Sequence, residues 1–525
     1  MNEPDPVPST LSRELVETLR LIAGDSPDEV ERTLQSLRLG SQIALIAHDL
    51  VERRADRSLR LTPDGLGLLK HLAEDDDAAG LLGGLLQRVS SAMELGTVAW
   101  FDGSAPEPDR LVEHLEQRLQ FFPHARQTLT SPAFALTRQV WIDDPSFDIR
   151  HHFRSHELSI DDPPDAFGRE ADRFFSTRLI HERPLWEILV IDDKRTESFA
   201  VLTKAHALLL EDIDGETLAT ALFDVVGDQP LTSPPWSPGE PPSDSGLVLT
   251  SLGNALRVAW QIPVRVARDR THVLTQLAHL VGGLGRAIWT EGAPPSPLNV
   301  EPGPKRRLEQ LTIPAPALAA ARAATGATVN VLLLAALAGA LRRWALVRGD
   351  RADVQLKVAL MSFPRVEGQA SAALLDGLAH TLVSLPVDVP NAADRLRHVA
   401  VELSDEDGDD ERRRRAFRAL RESVGTSIVA HAIVIALAFR VHNLMTVRYP
   451  SATMPLFLLG KQMRSIHPVT FLAEDDALSI GAIVYDEALH VTLLGDPDAL
   501  PDLALLAGAL EDELTALGAT TESRT

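Results

Sequence analysis

Two stretches rich in proline, glycine and serine, residues 228–245 and 292–299, interrupt this chain and divide its sequence pattern. Residues of these types stop helices and strands and set turns, so both stretches read as boundaries. The 525 residues are in any case too many for a single hydrophobic core. Four parts follow: a module at 1–85, a first body at 86–240, a helical connector at 241–297 and a second body at 298–525.

Both bodies mix helical and strand patterns. In the first, 106–120 carries Leu111, Leu115 and Leu119 on one helical face, and 139–143, 188–192 and 199–207 read as strands. Residues 215–225 read as the next helix. In the second, an apolar helix at 330–346 precedes strands at 354–362, 378–389, 443–449 and 478–496, and a helix at 501–517 closes the chain. This mixture predicts an α/β (α+β) fold. A block of acids and then arginines at 405–415 suits the polarity of a solvated helix start.

Composition narrows the function. A hydrophobic share of 45% supports globular folding, and a net charge of −23 argues against nucleic acid and anionic membranes. The chain has no cysteine, which excludes disulfides, thiolate metal sites and a cysteine nucleophile. Residues 1–9 are acidic and proline-rich, unlike a signal peptide. The apolar runs 331–341 and 428–439 fall short of the roughly 20 residues that span a bilayer. A cytoplasmic protein is expected, with peripheral contact to a membrane or lipid droplet as the alternative. That alternative rests on the basic connector, where Arg257, Arg265, Arg268, Arg270 and Arg286 could meet a lipid surface or simply bridge two acidic bodies.

The module at 1–85 has helical spacing at 12–23 and 27–37, then a short helix near 41–50. Residues 51–65 followed by an apolar helix at 66–72 resemble the wing and last helix of a winged helix-turn-helix domain. Its charge is wrong for DNA, with 9 Lys plus Arg against 16 Asp plus Glu. A protein-contact module is the expectation, and a DNA-binding regulator that senses acyl-CoA is the reading its charge opposes.

Several ordered segments carry a wider resemblance. In the first body these are Arg126-Gln127, Val140-Trp141-Ile142-Asp143-Asp144-Pro145, His152 with Arg154, and Arg183-Pro184-Leu185-Trp186-Glu187. In the second they include Gly326-Ala327-Thr328-Val329-Asn330, Pro455-Leu456-Phe457-Leu458-Leu459-Gly460 and Tyr485-Asp486. Over about 86–520 the chain resembles the wax ester synthase/diacylglycerol acyltransferase family. The resemblance implies two CoA-dependent acyltransferase domains of the chloramphenicol-acetyltransferase type, with a tunnel between them. Acyl-CoA and a neutral lipid or alcohol are the implied ligands, and no cofactor or metal is implied.

The family's motif is two histidines, three variable residues, aspartate and glycine, and its second histidine deprotonates the acceptor hydroxyl. Here His206 takes the first histidine position, Ala207 the catalytic one, Glu211 the aspartate and Asp212 the glycine. A methyl group accepts no proton, and general-base catalysis supplies about 10²–10⁴-fold in rate. Strand alternation, with Ala207, Thr203 and Ala205 facing the tunnel, puts His206 on the other side with Lys204. The expectation is a pseudoenzyme that binds acyl-CoA, lipid or a protein partner. An active acyltransferase working through His206, oriented by Asp212 or Asp214, or through substrate positioning alone, is the alternative.

Other positions typical of the family differ too: Asn330-Val331 lacks a carboxylate, Leu375-Asp376 replaces Gly-Asn, and Arg448-Tyr449-Pro450-Ser451 retains only the proline of its turn. The adjacent pair His151-His152 is followed by Phe153-Arg154-Ser155, with no Asp-Gly, and reads as structural. His467 and His490 lack partners at metal-ligand spacing, which argues against zinc.

Overall fold

The computed structural model describes residues 51–53, 59–61, 93–122, 124–130, 140–210, 222–225, 236–239, 293–362, 381–404, 442–449, 451–452, 454–473 and 475–519. They fall into two units, 1–90 and 91–525. In the smaller unit, β1 (Val51–Arg53) and β2 (Leu59–Leu61) pair antiparallel with Val51 opposite Leu61, where the wing is expected. The helices expected around them lie outside the described residues.

The larger unit is a mixed α/β body of two lobes, each built on a six-stranded sheet. In the first lobe, β3 (Glu94–Asp102) leads to α1 (Pro108–Arg118). A small antiparallel pair follows, β4 (Gln127–Thr130) with β5 (Val140–Asp143). Next come β6 (Phe153–Leu158), α2 (Ala166–Ser176), β7 (Trp186–Asp193) and β8 (Ser198–His206). β6 and β7 run parallel because α2 supplies the crossover that a hairpin cannot.

The second lobe contains β9 (Arg307–Ile313), α3 (Ala315–Thr325), α4 (Val329–Arg348), β10 (Leu356–Ser362), β11 (Thr381–Leu385) and β12 (Leu444–Arg448). Then follow β13 (Phe457–Leu458), β14 (Lys461–Val469), β15 (Leu478–Tyr485), β16 (Ala488–Gly495) and α5 (Leu503–Ala519). The expected strand at 478–496 is thus a hairpin, turned at Asp486 and Glu487, whose φ values of 47° and 61° match the primed turn that suits strand twist.

α4 starts at Thr328, whose hydroxyl accepts the Val331 N–H, and stops at Gly349 with φ 78°. By length and composition it could cross a membrane, yet 78% of its apolar window is buried. Leu332, Leu334 and Leu337 are fully buried in one core with α3, α5 and the sheet. Each such leucine contributes about 2 kcal/mol by leaving water.

The sheets do not follow the order of the chain. The second lobe's sheet runs β11-β10-β12-β15-β16-β9, while β13 and β14 join the first lobe's sheet, β13-β14-β3-β8-β7-β6. β14 lies antiparallel to β3, with His467 opposite Val98 and Val469 opposite Gly96. One face of that sheet packs Val98, Leu189 and Leu202 against Phe174 of α2 and against Leu494 and Leu308 of the other lobe.

Candidate functional site

Strand alternation decides what faces the seam between the lobes. Glu94, Gly96, Val98 and Trp100 on β3 stand opposite His206, Lys204, Leu202 and Ala200 on β8. This is the face that carries α2 and meets the second lobe. Thr203 projects from the opposite face, where its hydroxyl lies 2.8 Å from that of Thr97. The sequence expectation had these sides reversed. Lys204 and Glu94 line a cavity together with Arg306, Phe471 and Leu494 of the second lobe. The reversal arises because β9 and β16 pack over the even-numbered side of β8, which a periodicity shared by both faces cannot reveal.

Lys204 is 2% exposed. Its ammonium donates to the carbonyls of Phe174, at 3.0 Å, and Thr177, and sits 3.8 Å from Glu187 and 4.0 Å from Glu94. Glu94 also accepts the Leu179 N–H at 2.9 Å. Burial pushes the Glu94 carboxyl up and the Lys204 ammonium down, and the attraction between the two charges opposes both shifts. The cavity beside them is about 40 Å³, near the share of one water molecule.

His206 ends β8 and is 1% exposed, with its backbone N–H donating to the Leu185 carbonyl. Ala207 opens a 3-10 turn, Ala207–Leu210, and is equally buried, its N–H donating to Met93. The position assigned to the base therefore holds a packed methyl group. Glu211, Asp212 and Asp214 lie outside the described residues, as do Leu375, Asp376, Pro450 and the basic connector. Asn330 sits in the first turn of α4, its carbonyl oxygen buried without a hydrogen-bond partner among the described residues.

Of the adjacent pair, His151 is exposed and His152 is buried. His152 stacks on Trp186 with ring centres 4.6 Å apart and bonds the Trp186 carbonyl through Nδ1 at 2.8 Å. Burial lowers its pKa. Glu94 and Glu187, the carboxylates around Lys204, were missed by sequence reasoning. Their signal was available in the alternation of β3 and β7, which puts Glu94 on the side of Val98 and Glu187 on the side of Leu189 and Ile191.

A wider cleft opens along the same seam, nearer Trp100. It has a volume of about 540 Å³ and is lined from the first sheet by Trp100, Arg464 and His467, and from the second lobe by Thr312, Asp486 and His490. The two histidines that sequence spacing leaves unpartnered meet here, with ring centres 5.1 Å apart. Among the described residues no cluster of three or more potential metal ligands occurs.

Comparison with known proteins agrees with this architecture. Residues 84–333 match the wax ester synthase/diacylglycerol acyltransferase catalytic domain, and 378–518 match the WS/DGAT C-terminal domain. The probable diacylglycerol O-acyltransferase tgs1 of Mycobacterium tuberculosis is 24% identical over 442 residues, covering 82% of this chain and 93% of that protein. The probable diacylglycerol O-acyltransferase tgs3 of the same species is 30% identical over 210 residues, 38% of this chain and 76% of that protein. The solved wax ester synthase/diacylglycerol acyltransferase of Marinobacter aquaeolei VT8 superposes with a TM-score of 0.58 at 20% identity, covering 84% of this chain and 98% of that one. With both halves of the body matched in order, the chain belongs to the wax ester synthase/diacylglycerol acyltransferase family.

Proposed function

We propose that this chain binds an acyl-CoA or neutral lipid through its two-lobed body and does not transfer the acyl group through its histidine motif. The observation that carries this reading is Ala207, a buried methyl at the position the family gives to its general base. Without a proton acceptor there, the acceptor hydroxyl stays a poor nucleophile. Residues 1–85 serve as a protein-contact module, and the protein works in the cytoplasm or at a lipid surface.

A second reading has support of its own. The relatives carry the name diacylglycerol O-acyltransferase, and His206 shares the seam face with Glu94. In that reading the chain is an active O-acyltransferase with His206 as its base or with substrate positioning alone. One experiment separates the two: purified full-length protein is incubated with radiolabelled oleoyl-CoA and either dioleoylglycerol or hexadecanol. Binding of oleoyl-CoA without labelled ester supports the first reading. Ester formation that disappears in His206→Ala establishes the second.

A further inference from the structure

We propose that the contact between α2 and the outer edge of β9 is a proton-operated joint, closing the small cavity beside β8 in mild acid and loosening toward neutral pH. The joint is built into the two lobes and does not depend on which ligand the body takes.

The geometry comes from an unfinished strand. β9 is an outer strand of the second lobe's sheet, so one side of it has no neighbouring strand to receive its amides. α2, from the first lobe, receives two of them with side chains. Asp172 and Ser176 stand four residues apart and share one face of the helix. Asp172 Oδ1 accepts the Leu308 N–H at 2.9 Å, and the Ser176 hydroxyl oxygen accepts the Arg306 N–H at 2.8 Å. The Ser176 O–H itself donates to the Asp172 backbone carbonyl at 2.6 Å, which leaves its lone pairs turned to the strand. Phe167, Phe175 and Leu308 pack in one apolar cluster across the same contact. Ser176 and Arg306 also wall the cavity of about 40 Å³ in which Lys204 and Glu94 stand. Parting α2 from β9 therefore opens that cavity, on the strand that leads to Ala207.

Asp172 is the member whose charge can change. The charged groups facing it are Arg307, with Nε 4.0 Å from Oδ2, and Glu309, both from β9. On its own helix Arg169 and Arg173 are turned to Asp165 and Glu170. Burial outweighs the attraction of Arg307 and raises the carboxyl from 3.8 to about 6. A protonated carboxyl still accepts the Leu308 N–H and is cheap to keep from water. An ionised one regains its hydration by leaving the joint. The proton thus favours the closed form, fully below 3.8 and less and less as pH rises through 6. With Asp172 at its ordinary value in the open form, the opening equilibrium rises about tenfold from pH 5 to pH 7.

Hydrogen–deuterium exchange of the full-length protein, resolved to single amides and expressed relative to the unstructured-chain rate, tests this. Protection of the Arg306 and Leu308 amides should fall about tenfold from pH 5 to pH 7. Ile480, on β15 between two paired strands, should keep its protection. Asp172→Asn keeps the shape and the acceptor but cannot ionise, so both amides should stay equally protected at the two pH values. Ser176→Ala should lower protection at Arg306 and leave the pH slope at Leu308 in place. Wild-type protection that is flat with pH, or that falls equally in Asp172→Asn, overturns the proposal. An equal loss at Ile480 also overturns it, because the whole body and not one joint would then be loosening. Oleoyl-CoA binding, measured as above, succeeds or fails independently of these amides.

Discussion

The Lys204 ammonium stands 4.0 Å from the Glu94 carboxylate, diagonally across neighbouring strands, with both groups turned into the seam between the lobes. Removing one member of a buried charge group leaves the others uncompensated, which costs about 3–5 kcal/mol. Lys204→Met should therefore destabilise strongly, and Lys204→Met with Glu94→Gln should recover part of the loss. Urea unfolding of the two variants checks this, and equal midpoints would show that the carboxylates do not depend on the lysine.

A second carboxylate across the seam gives a pH signature. Asp172 accepts the Leu308 N–H at 2.9 Å, and burial raises its carboxyl from 3.8 to about 6. Between those pH values the folded chain holds a proton that the unfolded chain releases. Stability from this group is therefore full below 3.8 and falls as pH rises toward 6. Asp172→Asn keeps the acceptor and should flatten that slope in urea melts taken from pH 4 to 7.

Gly96 allows α2 to approach the sheet. A Cβ at this position would fall 2.7 Å from the Phe175 ring and closer still to the Thr203 carbonyl. The backbone oxygen cannot yield, so Gly96→Ala should cost about 2 kcal/mol or more. A melting temperature equal to wild type would contradict this close approach.

At the motif, Ala207→His alone should not restore full acyl transfer. The site is packed, so an imidazole must displace neighbours, at about 1–3 kcal/mol. Asp212 stands where the family's motif has glycine, and a carboxylate beside the new ring would favour its protonated form, which is no base. Ala207→His with Asp212→Gly should do better than either change alone, as read by radiolabelled ester formation.

The module at 1–85 should not shift random duplex DNA at physiological salt. Its 9 basic residues face 16 acidic ones, and weak phosphate contacts are lost steeply as salt rises. Gel mobility measurements at 50 and 150 mM salt would expose a salt-resistant complex.

How much of this was legible depended on where each element found its partners. β5, β7 and β8 and helix α4 carried their own apolar patterns and lie within two residues of their expected spans. The strand expected at 378–389 ends at Leu385, where Pro386 leaves the ladder. β14 was missed because Pro468 argues against a strand interior. β13 pairs only Lys461 and Gln462 on that side, so the proline sits on an open edge where no amide is needed. The substituted base at Ala207 was visible from resemblance alone. The His467–His490 contact was not, because it exists only once β14 is drawn into one sheet and β16 into the other.

The placement of β14 also fixes a timetable. β3 is flanked by β8 on one side and β14 on the other, yet roughly 250 residues of chain separate these two partners. A ribosome adding 5–20 residues per second needs about 10–50 seconds to cross that interval. Throughout it, β3 presents an apolar edge with unpaired amides, the kind of edge that recruits a neighbouring nascent chain. The early lobe cannot close on its own sequence, so any truncation upstream of residue 461 should leave an aggregation-prone half-sheet and not an independent domain.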